Sequence, residues 1–503
     1  MKYRTRRPSF VAATLLAASL VFVSACGTAT RNPVTGQTER TVMDEQAEIA
    51  EGAKAHEQVL KEYGALANPR LQAYVNDLGQ KLARQSHRAN LKWTFTVLDS
   101  PEVNAFALPG GYVYVTRGIM AYLGSEADLA GVIGHEIGHV TARHGAQRAT
   151  RQQRAGVGVV AATVLGVLAE VAGVSGAAQA AQQVSTSVAA GYVASYSREQ
   201  ESQSDQLGAE YLQRVGYDPR NMIDVINVLK NQERFAIDAA KAEGRQVSEG
   251  TSWLASHPSN DQRLADITKI ANDYKGKYID EGRERYLRAV DGMGFGESKE
   301  QGVTRGRNFY HDGLGIAFTA PQGWKIDNDA DSLTFIAGDG TAGLIVRPVP
   351  PKAGSTHEEI IKNAIKPVSG KTEARTLNGL RATHFEGQRK NEQGQNVAIN
   401  ATIATGPNNA NYAFIYAAKD SAALNRHLRG LTETESSFRA MNANDRSAAR
   451  PWTVKLVPYP RGGFAELARQ SPLTTNAEGQ LKLMNGVYAG GEPKPGELVK
   501  VVQ

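Results

Sequence analysis

The sequence predicts an α+β protein of several domains. A mainly α-helical N-terminal domain with a small β-sheet comes first, then an α+β domain, then a small β-α-α-β unit. Three observations carry this. The chain has 503 residues, too many for one ordinary core. Helical periodicity dominates residues 44–290, whereas short β-prone runs dominate 307–440. Between them, residues 291–306 are rich in Gly and charge and read as a linker.

The N-terminus reads as an export signal over residues 1–25. Lys2, Arg4, Arg6 and Arg7 precede the apolar run 10–23, which is too short to span a bilayer comfortably. It ends in Val23-Ser24-Ala25-Cys26, which resembles the lipobox of bacterial lipoproteins. That resemblance implies acylation of Cys26 and, with Gly27 following, a lipid anchor at the outer membrane of a Gram-negative bacterium, facing the periplasm. The alternative is an ordinary secretory signal with an incidental cysteine. Cys26 is the only cysteine, so no intramolecular disulfide is possible. The formal charge of +6 owes much to the signal, and the mildly basic remainder carries no nucleic-acid footprint.

Residues 26–43 are polar, rich in turn formers, and read as a tether. Helical spacing runs from Asp44 to about Ser86, with Leu71, Tyr74, Val75, Leu78 and Leu82 on one face. Residues 93–98 alternate as a strand, and 104–115 read as strand around the turn Pro109-Gly110-Gly111. A helix then starts at Ser125, a natural cap. Residues 156–174 are apolar but broken by Glu170, and read as a buried helix or a hairpin rather than a membrane span. Helices resume from Glu199 to about Ile270.

The chemistry concentrates in His135-Glu136-Ile137-Gly138-His139. At about 100° and 1.5 Å per residue, positions four apart lie one turn along on the same face, so both imidazoles address one metal. Glu136 lies one step round, placed to act as a general base. Leu129, Ala130, Val132, Ile133 and Val140 make this helix too apolar for a solvated face, and burying such a charged set without a purpose is costly. His144 falls roughly 140° from His139 by helical arithmetic and reads as a supporting or structural residue. The better third ligand is Glu201, which shares a helix face with Asp205. The latter would accept a hydrogen bond from a ligand histidine. Glu199 is the rival carboxylate, without an acid four residues on.

The HExxH motif followed by ExxxD after a hydrophobic insert resembles the metallopeptidase family of the CAAX prenyl endopeptidases and the HtpX heat-shock protease, most of all its periplasmic quality-control branch. The resemblance covers roughly residues 40–290. It implies a gluzincin-type domain, one Zn2+ held by His135, His139 and Glu201, and proteolysis of unfolded or misassembled envelope proteins. Residues 104–111 resemble that family's strand beside the zinc, implying that Asn104, Ala105 and Phe106 hold substrate backbone by β-addition; a plain hairpin is the alternative. His257, in Ser256-His257-Pro258-Ser259, resembles a segment following the catalytic helices. It would steady an oxyanion or cap the zinc in a latent form, unless it is a structural surface histidine. Arg263 is a candidate partner of Asp205.

The unit 451–503 resembles a degenerate LysM module, although Pro458-Tyr459-Pro460-Arg461 departs from the usual first loop. It is either a peptidoglycan binder or a packing module. Two functions follow. One is a lipid-anchored endopeptidase clearing misfolded envelope proteins. The other is a cell-wall or outer-membrane assembly scaffold with latent or secondary proteolysis.

Overall fold

The computed structural model describes residues 28–154, 196–242, 257, 261–329, 332–391 and 394–503. Cys26 and the apolar run 156–174 lie outside them. No described helix is long and apolar enough to cross a membrane.

The first elements correct an expectation. Within the stretch read as a tether, β1 (Thr28–Arg31) and β2 (Thr38–Thr41) form an antiparallel hairpin. Asn32 shapes its turn, its Oδ1 accepting from the backbone N–H groups of Val34 and Thr35 at 2.9 and 3.1 Å. Helix α1 (Glu45–Tyr63) is capped by Asp44 and α2 (Pro69–Ala83) by Asn68. The stretch expected as continuous helix breaks at Gly64, whose φ of 69° favours a residue without Cβ.

Strands β3 (Thr94–Leu98), β4 (Ala105–Leu108) and β5 (Tyr112–Thr116) make a sheet in the order β3-β5-β4, with β4 antiparallel to β5. This leaves β4 at an edge. The β4–β5 turn uses Gly110 and Gly111 at φ 82° and 101°. It wedges under α1 so closely that a Cβ on Gly52 would lie 1.9 Å from the Pro109 carbonyl oxygen.

Helix α3 (Glu126–Thr141) is buried along its whole length, and Ser125 caps it by accepting from the Asp128 N–H at 3.1 Å. Helices α4 (His144–Arg154), α5 (Arg198–Arg214), α6 (Asn221–Ala242), α7 (Asp261–Asp273) and α8 (Arg283–Val290) follow. The α3–α5 crossing is built on small residues: Gly134 faces Gly208, and Gly138 faces Ser204. Without bulky side chains between them, the two backbones approach closely enough to bring polar groups of both helices to one point.

Residues 291–306 are not a free linker either. They contribute β6 (Gly294–Phe295) and β7 (Val303–Arg305), and Met293 and Val303 are buried. Strand β8 (Asn308–His311) pairs with β7 on one side and with β9 (Ile316–Thr319) on the other. A seven-stranded antiparallel sheet follows, ordered β10-β11-β12-β16-β15-β14-β13. Its strands are β10 (Lys325–Asn328), β11 (Leu333–Ile336), β12 (Ala342–Pro348), β13 (Pro367–Leu377), β14 (Leu380–Lys390), β15 (Asn396–Thr405) and β16 (Asn411–Ala418). Helix α9 (Ser421–Ser436) lies across it, over a core of Phe318, Phe335, Phe414 and Phe438. The short β17 (Arg439–Ala440) closes on β9.

The C-terminal unit has the expected order: β18 (Trp452–Pro458), α10 (Gly463–Gln470), α11 (Ala477–Met484) and β19 (Leu498–Val502). It is fastened to the helical domain. Strand β18 pairs with β6, and Val454, Phe464, Leu481 and Val499 join the same core as α3. Lys500 is buried and donates to the carbonyls of Ala121 and Leu123 at 2.7 and 2.6 Å.

Candidate metal centre

His135 and His139 present their Nε2 atoms 3.0 Å apart from one face of α3. Glu201 reaches the same point from α5, its Oε2 3.5 Å from His135 Nε2 and its Oε1 3.4 Å from His139 Nε2. His257 completes the group, with Nδ1 3.0 Å from Glu201 Oε1 and 3.2 Å from His135 Nε2. One donor atom from each of the four lies within 4.8 Å of the others, and all four residues are buried. Imidazole nitrogens and one carboxylate converging away from water are a donor set that suits zinc. The rival carboxylate Glu199 is exposed and lies outside this group.

Behind the group stands a buried ion network. Asp205 Oδ1 accepts from His135 Nδ1 at 2.9 Å, which turns His135 Nε2 towards the centre. Arg263 donates to both oxygens of Asp205, at 2.6 and 2.8 Å, and its Nη1 lies 2.9 Å from Glu201 Oε2. Burial favours the neutral form of Glu201, but the charges of His257 and Arg263 outweigh it and hold the carboxyl well below its ordinary range. Asp205 behaves alike: burial raises it, Arg263 more than compensates, and it stays ionised. Burial likewise depresses His135, yet its bonds to Asp205 and Glu201 raise it to about 9. His139 is held well below its ordinary value, chiefly by burial.

Glu136 is buried beside the group, its Oε1 3.6 Å from His257 Nε2. Tyr196, just before the Ser197 cap of α5, stacks on His139 with ring centroids 3.8 Å apart. His144 does not point away as straight helical arithmetic implies. The helix ends at Thr141, Arg143 takes a left-handed conformation at φ 56°, and His144 returns behind His139, Nδ1 to Nδ1 at 2.9 Å.

The edge strand is placed differently from a side-chain pocket. Phe106 turns away from α3 and stacks on Tyr114 at 4.8 Å, near Tyr63, in a cluster under α1. Ala105 is buried on the opposite face, in the core shared with α3. What β4 can offer a ligand is backbone. Asn104 is buried at its start, with an Oδ1 that has no hydrogen-bond partner among the described residues.

Sequence reasoning passed over Tyr196 as a neighbour of the site, and missed Gln203 and Asn32. Gln203 Oε1 lies 3.0 Å from His144 Nε2, and Asn32 Nδ2 lies 3.0 Å from the same oxygen. No spacing rule signals such contacts, because Asn32 and Gln203 are 171 residues apart.

Residues 69–271 match the model of Peptidase family M48. The beta-barrel assembly-enhancing protease of Yersinia pestis is 31% identical over 211 residues, covering 41% of this chain and 40% of that protein. Its namesake in Escherichia coli strain K12 is 29% identical over 240 residues, covering 47% and 46%. The mitochondrial metalloendopeptidase OMA1 of Schizosaccharomyces pombe is 28% identical over 217 residues, covering 42% and 58%. The chain thus spans less than two thirds of the length of each of these relatives. Over residues 69–271, a stretch that includes the helices bearing His135, His139 and Glu201, this chain carries a Peptidase M48 domain.

Proposed function

We propose that this protein is a zinc metalloendopeptidase that hydrolyses peptide bonds of misfolded or unassembled cell-envelope proteins. The observation that carries the reading is the buried convergence of His135, His139 and Glu201, with Glu136 beside it. Those three residues would hold the metal; Asp205 would fix the tautomer of His135, leaving Nε2 for the metal, and Arg263 would keep Glu201 ionised. A zinc ion there supplies Lewis acidity, polarising a carbonyl and bringing the pKa of water to about 7. Glu136 takes the proton of the attacking water on a carboxylate oxygen and returns it to the leaving amine. The backbone of β4 pairs with an extended substrate, and Asn104 Oδ1 offers a buried acceptor at the start of that edge. Such recognition is tolerant of sequence, as disposal of unfolded chains requires. The relatives named beta-barrel assembly-enhancing protease support substrates of the envelope. Cys26 would anchor the chain in the outer membrane, on the periplasmic side. Glu136→Gln should abolish casein cleavage while zinc stays bound; equal cleavage by the variant would sink the hydrolytic assignment.

A second reading, an assembly scaffold with latent proteolysis, draws on one observation: His257 stands among the ligands, where it would close the position a substrate needs. If it restrains the site, His257→Ala raises cleavage of casein; if it steadies an oxyanion, the same variant lowers it. Peptidoglycan binding by the C-terminal unit is tested with the whole chain, because that unit shares a core with the helical domain. Co-sedimentation with purified peptidoglycan, lost on altering Arg461, would support it.

A further inference from the structure

Asp205, which can only accept, fixes the proton of His135. His139 is backed by another histidine, and two facing Nδ1 atoms 2.9 Å apart can share one proton only. Which ring holds it is decided farther out. Asn32 is fixed at both ends of its amide. Its Oδ1 faces the N–H groups of Val34 and Thr35, which can only donate, and its Nδ2 faces Glu39 Oε1 at 2.9 Å, which can only accept. The remaining directions then follow. Asn32 Nδ2 donates to Gln203 Oε1 at 3.0 Å, and that oxygen also accepts from His144 Nε2 at 3.0 Å. His144 therefore keeps a lone pair on Nδ1, and His139 Nδ1 donates to it. The Nε2 of His139 is left with its lone pair towards Glu201.

We propose that Asn32, in the turn of the N-terminal hairpin, is a positioning residue that sets the tautomer of His139 through Gln203 and His144. Asn32, Gln203, His144 and His139 are each at least nine-tenths buried, so bulk water does not compete for these bonds. The hairpin is also tied to α4, by Gln147 donating to Glu39 and by the Val42 N–H donating to Thr150 Oγ1 at 3.0 Å. The segment that would link the lipid anchor to the enzyme is thus built into the metal centre.

The inference rests on His139 being a zinc ligand, and its test separates the two. Zinc affinity of the whole chain is measured by competition with a chromophoric chelator. Asn32→Asp is made together with Glu39→Gln, so that the new carboxylate meets an amide donor, and is compared with Glu39→Gln alone. The introduced carboxylate cannot donate, so the Gln203 amide turns over, His144 becomes a donor from Nδ1, and His139 must carry its proton on Nε2. Zinc binding should weaken about tenfold or more, although the variant adds a negative charge relative to its parent. Gln203→Glu adds a negative charge too, but it only accepts, preserves every bond direction and should bind zinc at least as tightly as wild type. Gln203→Met removes the acceptor and should lose affinity, which keeps the test open if the double variant fails to fold. An Asn32→Asp effect under about threefold in a folded protein, or equal losses in Gln203→Glu and Gln203→Met, would overturn the proposal. A wild-type chain that binds no zinc would instead overturn the metal assignment beneath it.

Discussion

Gly138 lies where α3 meets α5, between the turns that carry His135, His139 and Glu201, and replacing it with alanine should push the two helices apart. A Cβ there would sit 3.0 Å from both Cα and O of Ser204 and 3.3 Å from Cβ of Leu207. Unstrained carbon contacts lie near 3.5–4.0 Å, so the backbones must separate by a few tenths of an ångström. Backbone atoms cannot swing aside as a side-chain end can. Overpacking of this kind costs about 1–3 kcal/mol, against a gain of about 1 kcal/mol from replacing glycine inside a helix. The net loss should be about 1 kcal/mol of stability. Zinc should suffer more. Glu201 sits on the displaced turn with its oxygens only 3.4 and 3.5 Å from the histidine nitrogens, and ligand placement must hold to about half an ångström. Zinc affinity should fall about tenfold, or about 1.4 kcal/mol. Gly134→Ala is the internal control. It lies on the same helix but its Cβ would stand 3.4 Å from Gly208, an ordinary contact, so it should keep zinc and gain up to about 1 kcal/mol. The assay is thermal unfolding with and without zinc, joined to chelator competition. Equal zinc affinity and stability in the two variants would refute the claim that the glycine crossing places the third ligand.

Other perturbations follow from the same structure. Arg263→Met leaves the buried carboxylates of Asp205 and Glu201 without their shared guanidinium and should cost about 3–5 kcal/mol in the zinc-free protein. Zinc should recover part of this, so its thermal stabilisation should exceed that of wild type; an equal stabilisation contradicts the pairing. Burial, then Glu62 and Asp329, push the Glu102 carboxyl up to about 7, against an ordinary value near 4.5. The folded chain therefore holds an extra proton between these values, and the stability this gives is lost as pH rises towards 7. Glu102→Gln should flatten that fall and be more stable than wild type at pH 8 by about 2 kcal/mol; an unchanged slope of urea midpoint against pH would count against it. Lys500→Met strands the carbonyls of Ala121 and Leu123 and should cost about 2–4 kcal/mol in thermal unfolding. A melting temperature equal to wild type would mean that the C-terminal unit is not fastened there.

What could be read from the sequence was short in range. His135, Glu136 and His139 follow from one helical turn, whereas Glu201 with Asp205 needed the family resemblance as well as the spacing of another. The hairpin turn at Pro109-Gly110-Gly111 and the Ser125 cap follow from local backbone chemistry. The β-α-α-β order at the C-terminus followed from a resemblance to a LysM module rather than from residue pattern. The failures share a cause. Strands β1 and β2 are four residues each, polar and half-exposed, so nothing in their pattern separates them from a tether. Strand β13 is a long polar ribbon whose side chains mostly face solvent, and β14 beside it buries only Ala382 and Phe385, so no apolar alternation marks either. The linker reading of 291–306 failed because its glycines serve tight turns between short strands rather than freedom. His144 was misdirected by extending a helix past the point where Arg143 reverses it. The bonds from Asn32 through Gln203 to His144 depend on tertiary contact alone.

In the proposed site Glu201 of α5, and not its exposed neighbour Glu199, completes the metal centre begun by His135 and His139. Zinc per chain, measured by elemental analysis on wild type, Glu201→Gln and Glu199→Gln purified alike, tests it most directly. Wild type and Glu199→Gln should each hold one zinc, and Glu201→Gln should lose most of it. Full zinc in Glu201→Gln, or its loss in Glu199→Gln, would contradict it.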